Sequence, residues 1–105
     1  MQIVDKDNFD QEVKRAANLV MVDFWSPKCE DCLALMPEME ALADKYADRV
    51  KFCKLNIQGN RRLALALGVR GLPAVGFFKG GEKAGFLTPE EVTSEAVEAK
   101  LNELL

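Results

Sequence analysis

Two cysteines separated by two residues are the part of this sequence best suited to chemistry. Cys29 and Cys32 lie at the predicted start of a helix, after an apolar run that ends at Trp25 and a turn that contains Pro27. Two thiols at this spacing on a first helical turn can close a small disulfide and open it again. The free N–H groups and the dipole of the helix start stabilise a thiolate there. The pair therefore predicts a reversible dithiol.

The composition limits the other kinds of chemistry. The 105 residues, 49% of them apolar, predict one compact domain over residues 1–105 with a single core. The sequence contains no histidine, which excludes histidine general bases, cysteine–histidine nucleophile pairs and histidine metal ligands within the chain. Fourteen Lys and Arg against 17 Asp and Glu give a net charge of −3, which argues against a nucleic-acid or membrane-surface partner. With no membrane-length apolar stretch and no export-signal pattern, we expect a protein of the reducing cytoplasm.

The elements that must position the two thiols alternate along the chain. Strands are predicted over residues 2–4, 19–25, 50–57, 74–79 and 82–86. Helices are predicted after a cap at Asp5 or Asp7, over residues 30–47, over residues 60–67, and from a capping box at Thr88, Pro89 and Glu91 onward. The order β-α-β-α-β-α-β-β-α predicts an α/β fold with early parallel crossovers and a late antiparallel hairpin at Gly80-Gly81.

The spacing of apolar residues predicts which side of each helix is buried. On the first helix these residues are Phe9, Val13, Ala16 and Ala17. On the long helix they are Leu33, Met36, Met39, Ala43 and Tyr46, with a kink expected at Pro37. On the last helix they are Val92, Ala96, Ala99 and Leu104.

With these elements placed, the chain resembles the thioredoxin family over nearly its full length. The matching segments are Val22-Asp23-Phe24-Trp25, Cys29-x-x-Cys32, Pro37, Lys54-Leu55-Asn56-Ile57, Gly71-Leu72-Pro73 and Phe78-Lys79-Gly80-Gly81-Glu82. A lone Cys-x-x-Cys also serves zinc sites and haem attachment, whereas these segments in this order are specific. The resemblance implies the thioredoxin fold, a central mixed sheet of about five strands flanked by about four helices.

The chain departs from the family pattern around the two cysteines. Lys28 replaces the family's usual Trp, Glu30-Asp31 replaces Gly-Pro, Leu33 replaces Lys, and Ala74 stands where Thr is common. These changes surround the docking surface, so the fold and the dithiol chemistry transfer better than the identity of the partner. They favour a dedicated partner over a general role.

The resemblance implies a role for each of four residues in the reaction. Cys29 attacks a substrate disulfide to form a mixed disulfide, and Cys32 then resolves it. Asp23 is an acid within an apolar strand, where burial raises its pKa, so it can accept the proton of Cys32 through water. Lys54 on the neighbouring strand approaches Asp23 and tunes it.

A second group of residues is expected to contact the substrate. Pro73 resembles the cis-proline beside the dithiol, which leaves the backbone of Leu72 free to pair with an extended substrate segment. Gly85 is the best candidate for the family's late groove glycine. The expected substrate-contacting residues are Trp25, Lys28, Glu30, Asp31, Leu72, Pro73 and Gly85.

The predicted activity is that of a protein-disulfide reductase. Its partners are disulfide-containing proteins and a thioredoxin-reductase-like electron donor, and we expect a monomer with no cofactor beyond the Cys29–Cys32 disulfide and no metal. Two alternatives remain open: a metal-binding protein that uses Cys29 and Cys32 with Glu30 or Asp31, and a redox-inactive interaction module of the same fold. Cys53 is predicted to be a small buried apolar residue, with a regulatory or metal-binding thiol as the alternative.

The two acids between the cysteines are expected to affect the acidity of the Cys29 thiol. The carboxylates of Glu30 and Asp31 oppose a thiolate at Cys29, whereas the charge of Lys28 favours it. Because two acids outweigh one base, we expect Cys29 to be less acidic than it would be beside an uncharged pair.

Overall fold

A five-stranded mixed sheet forms the centre of the protein, in a computed structural model that describes residues 1–105. The strands are β1 (Gln2–Val4), β2 (Leu19–Trp25), β3 (Val50–Asn56), β4 (Ala74–Lys79) and β5 (Glu82–Leu87). Their spatial order is β1-β3-β2-β4-β5; β1 and β2 run parallel to β3, and β4 pairs antiparallel with β2 and β5. The predicted thioredoxin fold is confirmed.

Four helical segments cover the two faces of the sheet. They are a π-helical segment (Asp10–Lys14) and the helices α1 (Glu30–Lys45), α2 (Arg61–Ala66) and α3 (Ser94–Leu104). None of them combines the length and the apolar character needed to traverse a lipid bilayer.

The strand β2 is buried on both faces, as its unbroken apolar run predicts. Leu19 and Met21 pack in the core beneath α1 and α3. Val20, Val22 and Phe24 pack in the core beneath the π-helical segment and α2. Because side chains alternate along a strand, Asp23 belongs to the face that α1 and α3 cover.

The hairpin between β4 and β5 forms at the predicted glycine pair. Gly80 and Gly81 both have positive φ, 62° and 84°, which suits the tight turn. A Cβ on Gly81 would lie 2.7 Å from the carbonyl oxygen of Lys14, so the turn also packs closely against the end of the π-helical segment.

The buried side of α1 differs from the prediction by one position at three places, because Met36 and Ala43 are only partly buried and Leu33 faces solvent. Leu33 is 47% exposed. The helix begins directly after its N-cap, Cys29. Cys32 therefore lies on the buried side of the helix, and Leu33, one residue later, lies on the exposed side. The buried residues are Cys32, Leu35, Met39 and Leu42, followed by Tyr46 at the C-cap. The helix runs through Pro37 and ends at Lys45, two residues before the predicted end.

The last helix begins later than predicted because a second threonine caps it. Thr93 is extended, and its side chain accepts the N–H of Ala96 at 3.0 Å. Thr88 and Glu91 instead close a separate turn, in which Glu91 Oε1 accepts the N–H and the hydroxyl of Thr88, both at 2.9 Å. The fully buried residues of α3 are Val97 and Leu101, whereas the predicted Ala99 is exposed.

The first helix is also shorter than its apolar spacing predicts. Asp5 provides a cap-like start, because its carboxylate accepts the N–H groups of Asp7 and Asn8 at 2.8 and 3.1 Å. Val13 is buried as expected, but Ala17 lies beyond the π-helical segment and is exposed.

Candidate active site

The two cysteines lie at the start of α1, shortly after the end of β2. The chain leaves β2 at Trp25, turns at Ser26, and enters the helix at Cys29, whose N–H donates to the Ser26 carbonyl oxygen at 3.0 Å. Cys29 and Cys32 are joined by a disulfide, with their Cα atoms 5.2 Å apart. Cys29 is partly exposed, whereas Cys32 is only 1% exposed. One sulfur therefore faces solvent and the other faces the protein.

The backbone at the helix start favours negative charge on the outer sulfur. Cys29 is the N-cap of α1, and its Sγ accepts the N–H of Cys32 at 3.1 Å. In the reduced protein this donor and the helix dipole stabilise a thiolate at Cys29. The exposed side chains of Lys28, Glu30 and Asp31 surround this sulfur along the chain.

Asp23 is the buried acid of the site. It is 1% exposed, and neither of its carboxylate oxygens has a hydrogen-bond partner. Burial raises the pKa of Asp23 from 3.8 to about 7, and the positive charge of Lys54 partly opposes this rise. Asp23 lies on the sheet face covered by α1, the helix whose buried side carries Cys32. The site thus holds a carboxyl group that changes protonation near neutral pH.

Lys54 occupies the predicted position but does not bond to the acid. It is the register partner of Asp23 across β2 and β3, on the same face of the sheet. Its Nζ lies 5.9 Å from the centroid of the Trp25 ring, at the outer limit of a cation–π contact. Lys54 therefore acts on Asp23 through its charge alone.

The Leu72–Pro73 loop reaches the same end of β2. The peptide bond between Leu72 and Pro73 is cis, as predicted. Ala74, the next residue, pairs with Phe24 in the antiparallel β2–β4 ladder, so the loop lies beside the point where β2 ends. Pro73 is buried, whereas Leu72 is partly exposed.

Gly85 is not at this end of the sheet. It pairs with Phe77, four residues along β4 from Pro73 and hence about 13 Å away, and a Cβ there would lie 3.3 Å from the Lys100 side chain of α3. The residue that does approach the loop is Pro89, since a Cβ on Gly71 would lie 3.2 Å from Pro89 Cγ.

Cys53 is separated from the two other thiols by the sheet. It is fully buried in the core on the π-helical side, opposite to the face that carries Asp23. Burial raises the pKa of the Cys53 thiol to about 11. The predicted small buried apolar residue is confirmed.

Ile57 belongs to this region but was assigned only as a strand end. Its N–H donates to the Trp25 carbonyl oxygen at 2.9 Å, so it lies beside the carboxyl end of β2. The rule that ligands of open α/β sheets bind outside the carboxyl ends of strands would have identified it. The sequence predicted no functional role for Arg61 and Arg70, which line a cleft with Ile57.

The pH dependence of stability tests the state of Asp23. An acid whose folded pKa is raised keeps its proton in the folded state while the unfolded state loses it, so stability falls as pH rises between the two pKa values. From 3.8 to about 7 this loss is on the order of 4 kcal/mol. We expect the free energy of unfolding of the oxidised wild type to decline relative to Asp23→Asn between pH 4 and pH 7, then to stay level to pH 8.

Urea unfolding of both proteins at four pH values measures this difference. The other titrating groups are common to both proteins, so they cancel in the comparison. Parallel curves from pH 4 to pH 8 would show that Asp23 is ionised in the folded protein throughout.

Comparison with known proteins agrees with the fold. The thioredoxin family model matches residues 1–103. The chain is 41% identical over 102 residues to the thioredoxin of Acetoanaerobium sticklandii, covering 97% of each chain. It is 42% identical over 98 residues to the thioredoxin of Peptoclostridium acidaminophilum, covering 93% of this chain and 89% of the relative. The chloroplastic M-type thioredoxin of Pisum sativum is 36% identical over 101 residues, 93% of this chain and 59% of that protein. This chain belongs to the thioredoxin family and is a thiol–disulfide oxidoreductase.

Proposed function

We propose that the protein reduces disulfide bonds of partner proteins through Cys29, with Cys32 as the resolving thiol and Asp23 as its proton acceptor. The observation that carries this assignment is the asymmetry of the pair. Cys29 is partly exposed and caps the helix, whereas Cys32 is 1% exposed. A substrate of macromolecular size can meet only the outer sulfur.

The reaction exchanges two electrons and two protons in two steps. The Cys29 thiolate attacks one sulfur of the substrate disulfide; a Cys29–substrate disulfide forms, and the second substrate sulfur leaves as a thiolate and takes a proton. Cys32 then loses its proton and attacks Cys29 Sγ. This step forms the Cys29–Cys32 disulfide and releases the first substrate sulfur as a thiol. The protein is oxidised by two electrons and the substrate is reduced by two.

Asp23 suits the second step because its carboxyl group can be ionised before it takes the proton of Cys32 and neutral afterwards. A buried thiol cannot lose its proton to bulk water directly, and a carboxyl group with a pKa of about 7 can take that proton at physiological pH. Both carboxylate oxygens are free of protein partners, so they are available to a bridging water. Lys54 is a positioning residue, because its charge holds the pKa of Asp23 below the value that burial alone would give.

The substrate contacts follow from the residues around Cys29. Leu72 is partly exposed beside the end of β2, and we assign its backbone to pairing with an extended substrate segment. Pro73 and Trp25 form the apolar surroundings of this segment. Lys28, Glu30 and Asp31 present their charges to the substrate from the side of α1.

The direction of electron flow requires a donor that reduces the disulfide again. We propose a thioredoxin-reductase-like protein as that donor, a monomeric state, and the reducing cytoplasm as the compartment. The dithiol supplies both electrons, so the proposed mechanism needs no further cofactor. The altered residues Lys28 and Leu33, the second of them 47% exposed, favour a dedicated protein partner.

Two measurements separate this proposal from its alternatives. Stoichiometric zinc in the purified protein would favour the metal-binding alternative, although Cys53 lies across the sheet from the dithiol. A dithiol that cannot be oxidised and reduced reversibly would favour the interaction module.

The reaction of the reduced protein with 5,5′-dithiobis(2-nitrobenzoate) tests the roles of Cys32 and Asp23. The first nitrothiobenzoate leaves when Cys29 attacks, and the second leaves when Cys32 resolves the adduct, so absorbance resolves the two steps. In Asp23→Asn we expect the second step to slow at least about tenfold at pH 7. We also expect its wild-type rise with pH, centred near the Asp23 pKa of about 7, to disappear.

The first step should change by less than about twofold in Asp23→Asn, because it occurs at the outer sulfur. An unchanged second step with the wild-type pH profile would contradict the role of Asp23 as proton acceptor.

The charges inside the motif give a second test, with a matched control. Glu30→Gln/Asp31→Asn removes two carboxylates next to Cys29, and Glu38→Gln/Glu40→Gln removes two exposed carboxylates about 13 Å further along α1. We expect the first variant to alkylate about threefold faster with neutral iodoacetamide at pH 7. A tenfold rise in thiolate is partly offset by lower intrinsic nucleophilicity.

The control variant should react like wild type, and 0.5 M salt should shrink the difference. An unchanged or slower rate in Glu30→Gln/Asp31→Asn would show that these acids do not oppose the Cys29 thiolate.

A further inference from the structure

A cleft of about 170 Å³ opens next to the active-site loop, on the sheet face opposite to α1. Its apolar lining comes from the end of β3, from α2 and from the loop before β4. These apolar residues are Ile57, Ala64, Leu65, Val69 and Leu72. Ile57 and Leu72 connect the cleft to the active site, since the first bonds to Trp25 and the second precedes Pro73. We call this feature the side cleft.

Two arginines frame the side cleft and have no partner within the chain. Arg61 and Arg70 line it, both are exposed, and neither takes part in any ion pair or side-chain hydrogen bond of the protein. Leu65 between them is 57% exposed. An exposed aliphatic residue flanked by two unpaired guanidinium groups can accept an aliphatic side chain together with carboxylates.

The acidic residues of the chain lie outside the segment that forms most of the side cleft. Residues 49–81 contain no Asp or Glu, although the net charge of the chain is −3, and Arg61, Arg62 and Arg70 of this stretch lie on α2 and the loop that follows it. This acid-free stretch includes β3, α2, the side cleft and the Leu72–Pro73 loop. A second surface cleft, which Lys6, Arg61 and Arg62 line, adjoins the side cleft at Arg61 and extends the positive surface along α2.

The acids nearest to the dithiol lie on the other side of the sheet. Glu30 and Asp31 are on the first turn of α1, which packs on the face opposite to α2. The end of the sheet that carries Cys29 is therefore negative on the α1 side and positive on the α2 side.

We propose that the side cleft binds an acidic, aliphatic segment of the partner protein next to the partner's reactive cysteine. This inference rests on the proposed function, because it names the chemistry of the segment that the reductase recognises. The aliphatic side chain enters between Leu65 and Leu72, and carboxylates on either side of it pair with Arg61 and Arg70. The polarity of the site then fixes the orientation of the partner over Cys29.

Synthetic peptides with one cysteine activated by nitrothiobenzoate test this proposal. Release of the chromophore reports the attack of Cys29 on the peptide sulfur, and Cys32 then closes the protein disulfide and releases the peptide as a thiol. The peptides carry the flank Glu-Leu-Glu, its neutral form Gln-Leu-Gln, its basic form Lys-Leu-Lys, or Glu-Ala-Glu, on either side of the cysteine. For wild type at low ionic strength we expect Glu-Leu-Glu to react about fivefold faster than Gln-Leu-Gln on one of the two sides.

Two double variants of equal charge locate the source of that preference. Arg61→Gln/Arg70→Gln removes the arginines of the side cleft. Arg15→Gln/Arg49→Gln removes two exposed arginines that precede β2 and β3, at the opposite end of the sheet. We expect the first variant to lose the preference for Glu-Leu-Glu and the second to keep it. Leu65→Ala should reduce the advantage of Glu-Leu-Glu over Glu-Ala-Glu.

The outcomes separate this inference from the proposed function. Equal rates for the acidic and neutral peptides in wild type, or an equal loss of preference in both double variants, would overturn the side cleft as a binding site. In those cases the neutral peptide still reacts. If no peptide reacts with the wild-type protein, the proposed function itself fails.

Discussion

A carboxyl group buried without a hydrogen-bond partner is the constraint around which the active site is organised. Asp23 lies in the central strand of the sheet, where the other residues of the strand are apolar, and neither of its carboxylate oxygens receives a hydrogen bond. Such a group destabilises the folded state whenever it is ionised. Its retention in β2, on the face that α1 covers, is consistent with a group that handles protons for the buried thiol.

The topology places the other participants at one end of the sheet. β2 and β3 run parallel, so Trp25 and Ile57 leave the sheet at the same end, and β4 runs antiparallel, so its first residue Ala74 begins there. The N-terminus of α1, the Leu72–Pro73 loop and the side cleft meet at this point. The nucleophile, the proton acceptor and the substrate surface come from segments distant in sequence. None of them requires a long loop.

The sequence predicted the parts of the fold that depend on continuous local patterns. The apolar run of β2 and the glycine pair before β5 are each compatible with one local structure, and both predictions were correct. The start of α3 was not, because Thr88 and Thr93 are both followed by residues that can complete a cap, and packing of Val97 and Leu101 selects the second. The buried side of α1 was shifted because the helix carries two overlapping sets of apolar residues at helical spacing, and packing buries the set that contains Cys32, Leu35 and Leu42.

The active site was predictable to the extent that it follows the motif. Cys29, Cys32, Asp23 and Pro73 lie on elements whose order the resemblance to the family provides. Gly85 was misplaced because no motif marks this position in the sequence, and only the fold shows that Gly85 pairs with Phe77 while Pro89 approaches Gly71. The side cleft could not be found from sequence, because Arg61 and Arg70 are ordinary surface residues until the fold brings them to the same opening beside Leu72.

The most direct test of a reversible, reducing dithiol is its midpoint potential, measured by equilibration with defined ratios of reduced and oxidised dithiothreitol. Trp25 is the single tryptophan of the chain and lies four residues before Cys29, so its fluorescence can report the redox state. We expect one two-electron transition near the thioredoxin value of about −270 mV. A midpoint above about −200 mV, in the range of protein-disulfide isomerases and oxidants, or no reversible transition at all, would contradict the assignment as a reductase.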